Sequence, residues 1–248
     1  MIRLSVNVNK IATLRNSRGG SVPSVADAVD VCLDAGAPGI TVHPRADERH
    51  IRRSDVLEIA AQLAARAARR HGIEFNIEGD PRPAFLELVL AVRPDQCTLV
   101  PVAPGEVTSQ AGWAPNASAA IRPAVTTLQS AGVRVSLFVD PTVEAVRGAA
   151  AAGADRIELY TEPFAKAFAR DAGSARASFE RYVSAAGLAH DLGLGVNAGH
   201  DLDLENLPLF RTLPHLAEVS IGHALVSRAL WVGLDRAVRE YLAAVAGV

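Results

Sequence analysis

The chain has 248 residues, 49% of them apolar and 21% charged, and a formal net charge of −2. That balance fits a globular chain with a sizeable core and excludes a disordered one. Lysines and arginines form no long runs, so neither nucleic acid nor a membrane surface is expected as a partner. Short β-branched apolar runs then recur along the chain, separated by segments with helical spacing. The first run, Leu4–Val8, follows an N-terminus without the basic stretch and long apolar run of a signal peptide. Ser24 can cap a helix in which Val25, Val29, Cys32 and Leu33 share a face, ended by Gly36. The second run is Gly39–His43, and Val56, Ala60, Leu63, Ala64 and Ala67 repeat the helical spacing after it.

The third run, Ile73–Glu78, leads into Asp80-Pro81, which is expected to open a helix carrying Phe85, Val89 and Val92. The fourth, Gln96–Val100, is followed by a long loop over Pro101–Ala119. The fifth, Val133–Val139, precedes a helix opened by Asp140-Pro141. Arg156–Tyr160 is the sixth, and Glu162–Gly187 after it has room for an extra helix before the usual one. Gly193–Asn197 and Glu218–Ile221 complete eight. Their apolar character on both faces suits parallel strands covered by helices. Eight β-then-α units in this length predict an α/β fold, a single (β/α)8 TIM-barrel domain over residues 1–248 with extra helices. Cys32 and Cys97 have no metal-ligand spacing and are expected as reduced core residues. No stretch approaches the roughly 18 consecutive apolar residues of a membrane span, so a soluble, cytoplasmic protein is expected.

Reacting groups of such barrels lie at the C-terminal ends of the strands. Here those ends read Asn7-Val8-Asn9-Lys10, His43-Pro44-Arg45, Asn76-Ile77-Glu78, Glu158-Leu159-Tyr160-Thr161, Asn197-Ala198-Gly199-His200 and Gly222-His223. Three imidazoles and a carboxylate around one rim suit proton-transfer chemistry near neutral pH. The rim also suits phosphate: Arg18 stands in a glycine-containing loop, and Arg45 and His50 follow the second run. Gly199, Gly222 and the helix starts beyond them offer backbone N–H groups. Arg15 reads more simply as solvated surface charge.

Several of these blocks resemble the signatures of the pyridoxine 5′-phosphate synthase family. They are Val6-Asn7-Val8-Asn9-Lys10-Ile11-Ala12-Thr13-Leu14-Arg15-Asn16-Ser17-Arg18-Gly19, Gly39–Arg45 with Arg49-His50-Ile51, Glu106-Val107-Thr108, Asn197-Ala198-Gly199-His200 and Ile221-Gly222-His223-Ala224. The resemblance implies condensation of 1-deoxy-D-xylulose 5-phosphate with 3-amino-2-oxopropyl phosphate. The products are pyridoxine 5′-phosphate, inorganic phosphate and water, formed without metal or organic cofactor. It also implies a homo-oligomer, usually an octamer. By the same resemblance His43 and Glu78 are proton acceptors and His200 the proton donor. Asn7 and Arg18 bind the amino-ketone phosphate, Arg45, His50 and Thr108 bind the deoxyxylulose phosphate, and Gly222-His223 forms a phosphate-binding turn.

The chain departs from the family's best-known members in having Asn9-Lys10 where they have Asp-His. Asn9 and Lys10 are assigned to substrate binding at the deoxyxylulose phosphate. Asp201 stands where those members have glycine, which puts the backbone contact expected at that turn in doubt. Lys10 also leaves open another phosphosugar barrel, an aldolase or isomerase with an essential lysine. A non-catalytic paralogue that binds a phosphorylated ligand is a third reading, which an intact His43, Glu78 and His200 oppose.

Overall fold

Eight strands hydrogen-bond in chain order, each parallel to the next, and the first closes on the last. They are Arg3–Asn7 (β1), Gly39–Val42 (β2), Glu74–Gly79 (β3), Gln96–Leu99 (β4), Arg134–Val139 (β5), Arg156–Tyr160 (β6), Gly195–Gly199 (β7) and Leu216–Ile221 (β8). The coordinates come from a computed structural model that describes residues 1–67, 72–102 and 110–248. The helices that carry or frame the site are Asn9–Asn16 (α1), Val25–Asp34 (α2), Arg53–Ala67 (α3), Pro83–Val92 (α4), Ser118–Ser130 (α5), Val143–Ala152 (α6), Glu162–Phe168 (α7), Ala172–Asp191 (α8), Leu207–Phe210 (α9), His223–Val232 (α10) and Leu234–Ala246 (α11). The closed eight-stranded barrel and the additional helices agree with the sequence expectation.

Alternation decides what each strand residue meets. Leu4, Val6, Ile40, Val42, Ile77, Cys97, Leu99, Val135 and Leu137 belong to one buried apolar cluster with Val29 and Leu33 of α2, Val56 and Ile59 of α3, and Phe85 and Val89 of α4. Both cysteines are buried and free, as expected. Gly79 is required for close packing, because any Cβ there would enter the Phe85 ring.

The inner face corrects the expectation of strands apolar on both sides. Ser5, Thr41, Asn76, Gln96, Thr98, Ser136, Glu158, Asn197 and Glu218 are all buried. Most of them bond across neighbouring strands, as buried polar groups generally do, while Ser136 Oγ and Gln96 Nε2 have no hydrogen-bond partner among the described residues. Ser5 Oγ and Thr41 Oγ1 lie 2.6 Å apart. Thr98 Oγ1 donates to Asn76 Oδ1 at 3.1 Å, and Asn76 Nδ2 to Thr41 Oγ1 at 3.3 Å. Arg156 Nη1 donates to Asn197 Oδ1 at 2.9 Å. The short runs hid this because one inward polar residue between two apolar ones leaves each run apolar on average.

Other corrections concern ends. β7 starts at Gly195 rather than Gly193, since Gly193 takes a left-handed φ of 78° and its N–H closes the end of α8 on His190 O. β8 starts at Leu216 rather than Glu218. Pro83, not Pro81, occupies the first turn of α4, and α6 is opened by Thr142, whose side chain accepts the Ala145 N–H. Residues 9–16 form α1, a helix the sequence reading did not assign. Its buried residues are Ala12 and Arg15, so apolar periodicity gave no signal. No helix among the described residues is long and apolar enough to cross a membrane.

Candidate active site

A cavity of about 300 Å³ opens at the C-terminal end of the barrel. Its first wall comes from β1 and α1. Asn7, the last residue of β1, accepts the Asn9 N–H on its Oδ1 at 3.0 Å, so the chain turns at once into α1. Asn9 Oδ1 in turn accepts the backbone N–H of His43 at 2.9 Å. Asn9 lines the cavity but spends its carbonyl on the strand end that carries His43. An aspartate could accept the same bond, which gives a physical reason why either residue suits this position. Lys10 follows on the cavity wall.

His43 and Arg45 are both buried just beyond β2. His43 Nδ1 is 3.9 Å from Glu78 Oε2, beyond hydrogen-bond length. Burial drives the His43 pKa well below 6.5, helped by His50 and Arg45. Burial also drives Glu78 well above the usual carboxylate range, helped by the charges of Glu158 and Glu218. Both shifts favour the uncharged form, an imidazole facing a carboxylic acid. His50 Nδ1 accepts the Ile51 N–H at 2.9 Å, which leaves its proton on Nε2. Its pKa falls to about 4, through burial first and then the charges of Lys10 and Arg45.

The opposite wall comes from β6, β7 and the residues after them. Glu158 and Tyr160 point inward from β6 and line the cavity, joined by Glu162 at the start of α7. Burial and Glu218 raise the Glu158 pKa to about 8. Gly199 leaves the space this carboxylate fills, since a Cβ there would collide with it. Tyr160 O–H donates to Glu162, whose other oxygen pairs with Lys166 at 2.8 Å. The His200 ring stands 5.4 Å from the Tyr160 ring and 5.3 Å from Phe138. Burial lowers the His200 pKa, while Asp201 and Glu162 oppose the shift.

His200 and Asp201 both have left-handed backbones, with φ of 82° and 56°. Glycine adopts that conformation freely and aspartate tolerates it better than most residues, so Asp201 can stand at a glycine position. Its side chain is exposed on the cavity edge. Gly222 caps α10 and approaches Asn7, where a Cβ would sit 3.0 Å from the Asn7 carbonyl oxygen. No side chain caps α10 at Gly222, and Gly222 and His223, where the helix starts, line the cavity.

The structure thus brings Asn7, Asn9, Lys10, His43, Arg45, His50, Glu78, His200, Asp201, Gly222 and His223 around one cavity. Arg18 does not join them; it is exposed in the turn after α1. Thr108 lies outside the described residues. Arg15, read as surface charge, is buried and paired with Asp55. Sequence reasoning placed Glu158 and Tyr160 at a strand end without giving them a role and did not select Glu162 or Ser220, although all four line the cavity. The available signal was the strand end Glu158-Leu159-Tyr160, where period-2 alternation puts two polar groups on one face.

The chain matches the family described as "Pyridoxal phosphate biosynthesis protein PdxJ" over residues 4–247. It is 51% identical over 243 residues to a pyridoxine 5′-phosphate synthase of Bacteroides fragilis, covering 97% of this chain and 98% of that one. The corresponding enzyme of Leptospira biflexa is 50% identical over 250 residues, covering 98% and 96%. Among solved structures, N-(5′-phosphoribosyl)anthranilate isomerase from Pyrococcus furiosus superposes with a TM-score of 0.60 at 12% identity, each chain fully covered, a likeness of fold alone. Full-length identity of this order, with the family's motif residues gathered at one barrel mouth, places the chain in the pyridoxine 5′-phosphate synthase family.

Proposed function

We propose that the chain condenses 1-deoxy-D-xylulose 5-phosphate with 3-amino-2-oxopropyl phosphate to give pyridoxine 5′-phosphate, inorganic phosphate and water. The observation that carries the reading is the gathering of proton-transfer groups, cationic side chains and a helix start around one cavity. His43, Glu78 and His200 line the same cavity. On one side Lys10, Arg45 and His50 supply donors for the deoxyxylulose phosphate. On the neighbouring side, where β8 pairs with β1, Gly222, His223 and the start of α10 supply backbone N–H groups for the phosphate of the amino-ketone, beside Asn7. Arg18 and Thr108 keep the family's assignments, to the amino-ketone and the deoxyxylulose phosphate, as proposals. Two fixed phosphates orient amine and ketone for imine formation, and positioning of this kind lowers a barrier by several kcal/mol.

Imine formation, loss of water, phosphate elimination and ring closure each move a proton. Neutral His43 accepts one directly. Glu78, whose burial favours the protonated carboxyl, gives that proton to the hydroxyl that leaves as water and then serves as acceptor. His200 carries a proton to the leaving oxygen, aided by the nearby negative charges of Glu162 and Asp201. No metal or organic cofactor is needed in this scheme, because arginine, lysine and helix N–H groups balance the phosphates.

We further propose that the chain acts in the cytoplasm as one domain and assembles into a homo-octamer. Leu230 and Trp231 at the end of α10 and Leu14 on α1 are exposed and offer apolar contact area. The test of function is to incubate the protein with both substrates and measure pyridoxine 5′-phosphate and phosphate together. Equal amounts of both are expected; phosphate binding without either product would favour the ligand-binding paralogue. Borohydride treatment with substrate is expected to leave Lys10 unmodified, and a covalent adduct there would favour the aldolase reading.

A further inference from the structure

The last turn of α1 holds a buried ion pair that the proposed chemistry does not use. Arg15 and Asp55 are both buried. Arg15 Nη1 lies 2.5 Å from Asp55 Oδ1, and Nη2 donates to Oδ2 at 2.9 Å, a two-pronged fork between α1 and α3. Burying such a pair gains little stability over well-packed apolar side chains. What apolar side chains could not supply is the remaining set of hydrogen bonds.

Those bonds converge on the segment between β2 and α3. Arg15 Nη2 also donates to the His50 carbonyl at 3.2 Å. Asn16 Nδ2 donates to the same carbonyl at 2.8 Å and to the Glu48 carbonyl at 3.2 Å. Arg15 Nε donates to Asn16 Oδ1 at 3.0 Å, which fixes the amide so that its NH2 faces the carbonyls. Asp55 Oδ2 accepts the Arg52 N–H at 2.8 Å, tying the far side of His50 to the same carboxylate. At the other end of α1, Asn9 holds the His43 N–H. The eight residues of α1 therefore brace both ends of the segment running from His43 to His50.

We infer that Arg15, Asn16 and Asp55 are positioning residues that set the His50 ring, and with it the affinity of the site for the sugar phosphate. The His50 carbonyl is pinned by two donors, and Nδ1 is pinned by the N–H of the fully buried Ile51. The backbone on both sides of the side chain is thus fixed, and the proton is left on Nε2 of a ring that lines the cavity. Loosening the carbonyl frees the ring to leave Ile51 and lose its tautomer. The inference rests on the proposal that His50 binds the deoxyxylulose phosphate.

The test compares three variants in steady-state kinetics with each substrate varied in turn. Asn16→Asp keeps the size and the acceptor for Arg15 but turns the donor toward His50 and Glu48 into an acceptor. It is expected to raise KM for 1-deoxy-D-xylulose 5-phosphate by about tenfold, as loss of a buried hydrogen bond does, with KM for the amino-ketone changed less than about twofold. Arg15→Lys is expected to move KM the same way, because an ammonium cannot serve the carboxylate fork and the carbonyl together. His50→Ala is the reference for the site itself. Imidazole nitrogen shifts read the brace directly: the parent is expected to show His50 with its proton on Nε2, and Asn16→Asp a mixture of tautomers. A unchanged tautomer in Asn16→Asp, or equal changes in both KM values, overturns the inference. If only His50→Ala fails to alter KM, the assignment of His50 to the sugar phosphate falls, and so does the affinity part of the inference, while the tautomer result still decides the brace.

Discussion

The two walls of the cavity are built from different chemistry. The wall from β1, β2 and α1 presents Lys10, Arg45 and His50, with main-chain bonds from Asn9, Arg15 and Asn16 behind them. The wall from β6 and β7 presents Glu158, Tyr160, Glu162 and Asp201 around His200. Cationic donors face the first histidine pair, and carboxyl groups face the third. Positive neighbours deepen the fall in the His43 and His50 pKa values, whereas negative neighbours resist it at His200. One barrel mouth thus gives chemically identical imidazoles opposite charged neighbours on its two sides, while burial lowers all three pKa values.

The largest expected effect comes from the carboxyl group that stands between these walls. Glu78→Gln keeps the neutral shape of the protonated acid but cannot release a proton. It is expected to lower kcat by about 100-fold or more, the range of a general acid–base group, with both KM values little changed. Near-normal kcat would remove Glu78 from the mechanism. Arg45→Ala, on the cationic wall, is expected to raise KM for the deoxyxylulose phosphate by roughly 10- to 100-fold, the worth of a charge-assisted hydrogen bond. An equal rise for the amino-ketone would erase the proposed division between the two phosphate sites.

How much of this was legible in the sequence follows from the signal each part leaves. The outer faces of the strands and inner faces of the helices, such as Val29 with Val6, are apolar and periodic, so the barrel could be read directly. His43, Glu78 and His200 stand at strand ends, where the fold itself directs attention. The polar inner layer was missed because Thr41, Asn76 and Asn197 find their partners on neighbouring strands, which no local window contains. Arg15 was misread for the same reason: its partner, Asp55, is 40 residues away. Helix α1 buries an arginine rather than a leucine, so its burial has no apolar signature.

The carboxyl wall should also show in stability. Glu158 has a usual pKa of 4.5, raised to about 8 in the folded chain. The folded state then binds more protons than the unfolded one between these values. Its contribution is fully present below about pH 4.5 and is lost as pH rises through about 8. The lowered histidines act oppositely: for His50, stability present above pH 6.5 is lost as pH falls through about 4. Glu158→Gln removes only the first dependence. Its Tm relative to the parent is therefore expected to rise from pH 5 to pH 9, as read by thermal unfolding at each pH. A constant difference would mean that Glu158 is not held neutral by its surroundings.

The smallest expected effect tests the wall at its outer edge. Glu162 is held ionised, first by Lys166 and then by Tyr160, and its charge favours protonated His200. Glu162→Gln preserves the size of the side chain and its capacity to accept from the Tyr160 hydroxyl, but removes that charge. The His200 pKa should fall. If His200 donates a proton in the cycle, the alkaline limb of the kcat profile moves to lower pH, by a fraction of a unit because Glu162 is partly open to solvent. Glu162→Asp, which restores the charge one methylene further back, should recover part of the shift. If the alkaline limb stays where it is in both variants while kcat falls, Glu162 serves packing against Tyr160, and the negative wall does not tune His200.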